Sequence, residues 1–436
     1  MDKLVVRGGK PLYGTLPVNG SKNTALALMA GAVLADGESV IDNVPALRDI
    51  HTFSRVIRVT GTAVDFDESA HRLRIDASTA SKTVAPYELV KRMRASFYML
   101  GALLGRFGRA RVSLPGGCAW GPRPVDLHMD GLAALGAEID LEDGYVLASA
   151  PGGRMPGGTF RLEPSSVGAT INLVLGAVTA SGGSRIENAA IEPDVVDFCE
   201  MLRQMGARIE GVGTRTLEIE GVDGLSPVSW RNAPDRIEAG TFLIAAAIAG
   251  RPGETMTVRG VNVDHLGEPF MESLRATGVS MTIQGDLVHV TRPEKLTPVS
   301  IRTDIFPGFP TDLQAQWTVL LACADGNARV VDTVYLDRFK HIPELRRMNV
   351  NAIVIGGEVV VEGGRTIKGA HVMSTDLRAS VSLVLAGLVA EGETHVLRVY
   401  HLDRGYENLE AKLRAAGADI RRERYDEFAD PEVEAG

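Results

Sequence analysis

Cysteine is nearly missing from these 436 residues: three are present, at 118, 199 and 323. Three thiols form neither a disulfide framework nor a paired zinc-ligand pattern, which excludes a secreted disulfide scaffold and agrees with a reducing compartment. Aromatic residues are scarce too, at 5% of the chain, while glycine reaches 48. With Ala, Val and Leu abundant, that mixture suits closely packed helices and strands, not an all-β sandwich. No basic segment followed by an apolar one opens the chain, and no apolar run is long enough to span a bilayer. The reading is of a cytoplasmic protein with no membrane partner. Nor is there an excess of basic charge: the formal net charge is −9, which argues against nucleic-acid binding because phosphate neutralisation needs a basic surface. Any anionic ligand must be met by a local cluster. Neither a phosphate loop nor a glycine-rich dinucleotide fingerprint lies between a strand and a helix, so nicotinamide chemistry and nucleoside-triphosphate hydrolysis are not indicated. The nine histidines are scattered without metal-ligand spacing, so no metal and no cofactor is expected.

What the chain does have is repetition. A short helix-to-strand junction recurs at Val59-Thr-Gly-Thr-Ala63, Ala134-Leu-Gly-Ala-Glu138, Gln204-Met-Gly-Ala-Arg208, Ala276-Thr-Gly-Val-Ser280, Arg347-Met-Asn-Val-Asn351 and Ala415-Ala-Gly-Ala-Asp419. The period is roughly 70 residues. Each copy follows an amphipathic helix and precedes alternating segments, so the small residue reads as a left-handed helix end leading into a hairpin; Asn349 is the next-best residue there after glycine. In phase with it runs a second unit, an apolar helix rich in small residues followed by a strand: 23–42, 94–114, 168–188, 240–258, 313–333 and 377–397. Helices apolar all round belong inside a domain. The pattern predicts an α/β protein of six βαβαββ-like units, three to a domain, since 436 residues exceed what one core organises. A boundary falls near Ser229 to Asp235, where Trp230-Arg-Asn-Ala-Pro234 reads as a connection. The domains are then 22–233, and 1–21 with 234–436. The strand-like run Lys3 to Arg7 could pair in either half.

One cysteine stands apart. A lone cysteine is by default a small buried hydrophobe, and Cys199 and Cys323, in helical and apolar surroundings, keep that reading. Cys118 instead lies in Pro115-Gly-Gly-Cys-Ala-Trp-Gly-Pro-Arg-Pro-Val-Asp-Leu-His128, a polar, glycine-rich connection between a strand and a helix. Such a loop can display a reactive thiol, and Arg123 can favour its thiolate or a nearby anion. The apolar helices also start with unusual residues. Ser166 and Asp376 can be simple caps. Lys22, Arg94 and Arg378 cannot, because a cation at the positive end of a helix is unfavourable unless an anion also binds. Arg338 and Arg404 sit in polar turn-like contexts, where isolated arginines are usually solvated surface charge.

Taken in order, Gly20-Ser-Lys-Asn23, Met93-Arg-Ala-Ser96, Pro115 to His128, Ser166-Val-Gly-Ala-Thr170, Pro234-Asp-Arg-Ile-Glu238, Phe309 to Gln316, Thr375 to Ser380 and Asp403-Arg-Gly-Tyr406 resemble the enolpyruvyl transferase family. The resemblance runs to about Arg424. It implies a two-domain inside-out α/β barrel with the active site in the cleft between the domains, and a monomer. It implies transfer of the enolpyruvyl group of phosphoenolpyruvate to the 3-hydroxyl of UDP-N-acetylglucosamine, the first committed step of peptidoglycan synthesis. Carried over residue by residue, Asp312 matches the general base. Cys118 matches the proton-donating thiol that forms a covalent adduct and reacts with fosfomycin. Lys22, Arg123 and Arg404 match phosphate-holding positions, of which Lys22 and Arg404 also serve catalysis, with Arg378 and Arg338 nearby. Asn23, Arg94, Arg123, Pro124, Val125, Asp126, Leu127, Ser166, Val167, Gly168, Asp312 and Val334 match positions around the UDP-sugar. Departures occur at Leu336, where many members carry Glu, at Pro164-Ser165, where others have Lys-Val, and at the bulky Trp120. Two rivals remain: a shikimate-directed transferase of the same fold, which lacks the Gly-Gly-Cys loop, and a non-catalytic UDP-sugar-binding paralogue.

Overall fold

The computed structural model describes residues 1–91, 93–115 and 125–426. Among these, each copy of the repeat contributes a central helix and a flanking helix. The first copy has α1 (Lys22–Ala32) and α2 (Arg48–Val59), the second α3 (Met99–Phe107) and α4 (Asp126–Ala134), the third α5 (Val167–Ala177) and α6 (Pro193–Gln204). In the second half follow α7 (Arg236–Ala249) and α8 (Glu268–Ala276), α9 (Gln314–Cys323) and α10 (His341–Arg347), α11 (Leu377–Val389) and α12 (Leu409–Ala415). The central helices are buried on nearly every face, as their small apolar residues require. The flanking helices bury one stripe only.

Every flanking helix ends at the predicted junction. Gly61, Gly136, Gly206, Gly278, Asn349 and Gly417 all have positive φ, from 68° at Asn349 to 106° at Gly206. Other side chains avoid that region because Cβ meets the backbone, and Asn tolerates it best. The chain then enters a hairpin, so the described residues form six four-stranded sheets with one common plan. In the third copy, 159–161 runs parallel to 183–187, which pairs antiparallel with 216–220, which pairs with 208–210. Alternate residues such as Ser184 and Ile186 face the core.

Three of these sheets are completed by segments remote in sequence. Asp2–Arg7 inserts between 393–397 and 419–424. Thr15–Pro17 lies parallel to 255–259, and Ser229–Arg231 parallel to 38–42. The Lys3 to Arg7 run therefore belongs with the second half. The Trp230 segment corrects the sequence reading, being partly a strand and not a bare connection. Without it the 38–42 strand would leave its outer row of backbone groups unpaired.

By contacts the chain divides into Asn19–Asp235 and a second unit of Met1–Val18 with Arg236–Gly436. Each has its own core. In the 19–235 unit α3 lies so close to α5 that a Cβ on Gly101 would sit 2.2 Å from the Asn172 carbonyl oxygen, so only glycine fits. The other unit concentrates its few aromatics: Trp317 meets Phe309 edge-on at 5.2 Å, and Phe309 meets Phe270 at 5.5 Å. The Trp317 indole N–H donates to the Val299 carbonyl at 3.0 Å, which satisfies the polar group buried with the ring. Cys199 is buried in one core and Cys323 half-buried against the other, and burial pushes both thiols up to about 12. Among the described residues no helix is long and apolar enough to cross a membrane.

Candidate active site

In the 19–235 unit, the start of α1 is fixed by Ser21, whose Oγ accepts the Thr24 N–H at 3.2 Å. Ser21 and Thr24 hydroxyls both donate to Asp194 of α6, at 3.1 and 2.5 Å. Lys22 opens the helix, and its Nζ is 3.0 Å from Asp49 Oδ2, with 13% and 6% of the two side chains exposed. The cation at the positive helix end therefore has an internal counter-charge, which explains how it is tolerated. Asn23 beside it is exposed.

Arg94 begins a short 3-10 turn, Arg94–Tyr98, that packs on both α1 and α5. Ser166 caps α5 by accepting the Ala169 N–H at 3.3 Å. Val167 and Gly168 form its half-buried first turn, whose N–H groups have no acceptor within a helix. Asp126 and Leu127 occupy the first turn of α4, after the buried Val125. Lys22, Arg94 and Ser166 thus head three segments that pack on one another. Cys118, Arg123, Pro124 and Trp120 lie outside the described residues; the strand 109–113 and α4 stand on either side of that stretch.

The second unit gathers Asp312, Arg338 and Arg378. Asp312 lies in a 3-10 turn ahead of α9. Arg338 Nη1 is 2.6 Å from Asp312 Oδ1, and Arg378 Nη2 donates to Oδ2 at 2.9 Å. Both arginines are buried, at 8% and 7% exposure, so Arg338 is not the solvated surface charge that its turn-like sequence suggests. Asp376 caps α11 through the N–H groups of Arg378 and Ala379, at 2.9 and 3.1 Å, which aligns the Arg378 backbone. Thr311 receives a hydrogen bond from Arg338 at 3.2 Å and donates to Asp332 at 2.7 Å. Asp332 also accepts the N–H groups of Val334 and Tyr335, fixing the turn that carries Val334. Behind Arg378, the Tyr406 and Thr241 hydroxyls are 2.8 Å apart, and Gln316 Nε2 donates to Thr241 at 3.1 Å. Arg404 ends a separate 3-10 turn, Val399–Arg404, in which Arg422 holds Asp403 by two hydrogen bonds of 2.7 and 3.0 Å.

Burial alone would raise the Asp312 pKa, but Arg378 and Arg338 override it and hold the carboxyl well below the usual carboxylate range. Asp312 is therefore an ionised acceptor and a weak base while both guanidiniums bind it. Asp49, Asp194, Asp332 and Gln316 were not singled out in the sequence, because their partners lie far off along the chain and no local spacing marks them. Among the described residues no three of His, Cys, Asp and Glu are grouped to hold a metal ion.

The family model for EPSP synthase (3-phosphoshikimate 1-carboxyvinyltransferase) matches residues 6–413. A UDP-N-acetylglucosamine 1-carboxyvinyltransferase from Chloroherpeton thalassium is 52% identical over 434 residues, covering 99% of this chain and 100% of the relative. The chain belongs to the enolpyruvyl transferase family. Among solved structures, the enolpyruvyl transferase NikO from Streptomyces tendae superposes with a TM-score of 0.87 at 27% identity, covering 97% of this chain and 98% of NikO. An EPSP synthase from Acinetobacter baumannii shares the fold at 17% identity and a TM-score of 0.77, over 97% and 100% of the two chains. The six repeats of this transferase are thus those of the two-domain inside-out α/β barrel.

Proposed function

We propose that this chain transfers the enolpyruvyl group of phosphoenolpyruvate to the 3-hydroxyl of UDP-N-acetylglucosamine, releasing phosphate, in peptidoglycan synthesis. The observation that carries this reading is the 52% identity, along essentially the whole chain, to a relative named for that reaction, against 17% for an EPSP synthase. Both substrates are water-soluble, in keeping with work in the cytoplasm. Supply of wall precursor would tie the enzyme to cell shape and division.

The chemistry asks for a proton acceptor, a proton donor and cations. In the proposed path, sugar O3 attacks C2 of phosphoenolpyruvate and passes its proton to Asp312, while the Cys118 thiol gives a proton to C3. The resulting tetrahedral phosphate ketal then returns a C3 proton to the Cys118 thiolate and expels phosphate, which takes up the proton held on Asp312, and the double bond is restored as an enol ether. Lys22, Arg123 and Arg404 are the proposed phosphate holders, with Arg378 and Arg338 beside the carboxylate or phosphate. Cations placed where charge develops are the largest available catalytic contribution. The clamp on Asp312 gives this scheme a specific requirement. The two arginines must turn their charge toward the anionic substrate before the carboxylate is basic enough to take a proton. Asn23, Arg94, Pro124, Val125, Asp126, Leu127, Ser166, Val167, Gly168 and Val334 are the proposed UDP-sugar contacts. A thiolate at Cys118 would also open the epoxide of fosfomycin, making the enzyme a target of that compound.

Phosphate release from phosphoenolpyruvate tests the reading. It is expected with UDP-N-acetylglucosamine and not with shikimate 3-phosphate. The opposite preference would indicate the shikimate reaction, and no release with either would indicate a sugar-nucleotide sensor.

A further inference from the structure

His128 and His341 occupy one position of the repeat, eight residues before the junction residue of α4 and of α10. The other four copies place Phe53, Phe198, Phe270 and Leu409 there, and all six side chains are buried. Two copies, one in each unit, thus put an imidazole where the fold elsewhere puts hydrocarbon. Both rings have a buried Nε2 with no hydrogen-bond partner among the described residues, and each lies near an arginine, Arg94 or Arg338. Burying an unpaired polar atom is unfavourable, so an acceptor supplied from outside is the natural account.

For His128 the surroundings settle which nitrogen carries the proton. Asn172 Oδ1 accepts the Gly101 N–H at 2.7 Å, so the other end of its amide is the NH2 group. That group donates to the Phe97 carbonyl at 2.9 Å and meets His128 Nδ1 at 2.8 Å. Nδ1 must therefore accept, and a neutral ring carries its hydrogen on Nε2. Burial, and then Arg94, push the ring pKa down to about 3, so it stays neutral. Phe97 packs edge-on against the ring at 5.3 Å. The Nε2 side faces the first turn of α5: a Cβ on Gly168 would stand 3.3 Å from Nε2 and 3.2 Å from Cε1. Glycine there lets the ring edge reach a helix N-terminus that already offers N–H groups to an anion.

We propose that His128 is a positioning residue, whose Nε2–H donates to a phosphate oxygen of the sugar nucleotide seated on the first turn of α5. This rests on the functional reading above and adds a donor to Ser166, Val167 and Gly168. A neutral donor suits the place, since an imidazolium would be repelled by both the helix end and Arg94.

Two measurements on the intact enzyme test it. With selectively 15N-labelled histidine, His128 should be the Nε2–H tautomer throughout about pH 5 to 8, and that resonance should shift when UDP-N-acetylglucosamine binds. In calorimetry, His128→Phe, which installs the residue found at positions 53, 198 and 270, should weaken UDP-N-acetylglucosamine about tenfold or more. KM for phosphoenolpyruvate should be unchanged, and His128→Gln should recover part of the loss. Wild-type affinity in a folded His128→Phe, or an Nε2 resonance that ignores bound sugar nucleotide, would overturn the donor role while leaving the reaction intact. Failure of the unaltered protein to bind UDP-N-acetylglucosamine would overturn the functional reading, and the donor role with it.

Discussion

Asp312 carries the sharpest expectation at the scale of single residues. Replacing it with Asn keeps an acceptor for one arginine and removes the charge and the base. Turnover should fall by about 10²–10⁴, the usual worth of general acid–base catalysis. Steady-state kinetics within tenfold of wild type would remove Asp312 from the proton path. Its carboxyl is held so low that it is already ionised at any working pH in the free enzyme, so an acidic limb in kcat/KM must come from another group. Asp197 behaves oppositely. Burial pushes it up to about 6, against the hydrogen bond it accepts from the Ala233 N–H at 3.3 Å. The native state then keeps a proton that the unfolded chain releases near pH 4, so stability falls as pH rises from about 4 to 6 and stays lower above. Asp197→Asn keeps the acceptor and should flatten that fall, raising stability at pH 8 by roughly 3 kcal/mol relative to wild type. Urea midpoints at the two ends of the window check it, and parallel profiles for the two proteins would refute it.

At the scale of elements, the helix-to-hairpin junction is where sequence and structure agree most closely. Gly206 has a φ of 106° with nothing within 4 Å of where a Cβ would stand. Gly206→Ala should therefore cost about 1–2 kcal/mol through backbone strain alone, with no clash to relax. An unchanged melting temperature would show that the left-handed end is dispensable. These junctions were legible because glycine or asparagine at a helix end is a local signal, repeated six times in phase with the apolar helices. The donor at His128 was not legible in the same way. A histidine without metal-ligand spacing looks like any surface histidine until the repeats are aligned and its position is seen to be a core position. Arg338 misled for a related reason: the polar residues around it in sequence are exposed, while the guanidinium turns inward to Asp312.

The whole molecule adds what no local pattern holds. Six similar units could be counted along the chain, but the strand that completes a sheet can come from hundreds of residues away. Asp2–Arg7 pairs on both sides, with 393–397 and 419–424. Removing residues 1–7 would open two strand edges in the middle of a sheet. The truncated protein should lose cooperative unfolding of the 236–436 unit and become sensitive to limited proteolysis there, with the 19–235 unit less affected. A fully resistant truncation would mean that the sheet closes without its inner strand. The pairing also shows why the repeats do not run on as an open array: the 19–235 unit uses a remote segment as the missing strand of one of its sheets, and the other unit does so in two.

The central claim is an addition followed by an elimination, joining phosphoenolpyruvate to a sugar hydroxyl. Its most direct test is nuclear magnetic resonance of the product formed from phosphoenolpyruvate and UDP-N-acetylglucosamine in deuterated water. An enol ether at the sugar 3-oxygen, formed with one phosphate released per transfer and carrying deuterium in its methylene group, is the predicted result. An unaltered sugar nucleotide, or a product whose methylene group holds no deuterium, would contradict it.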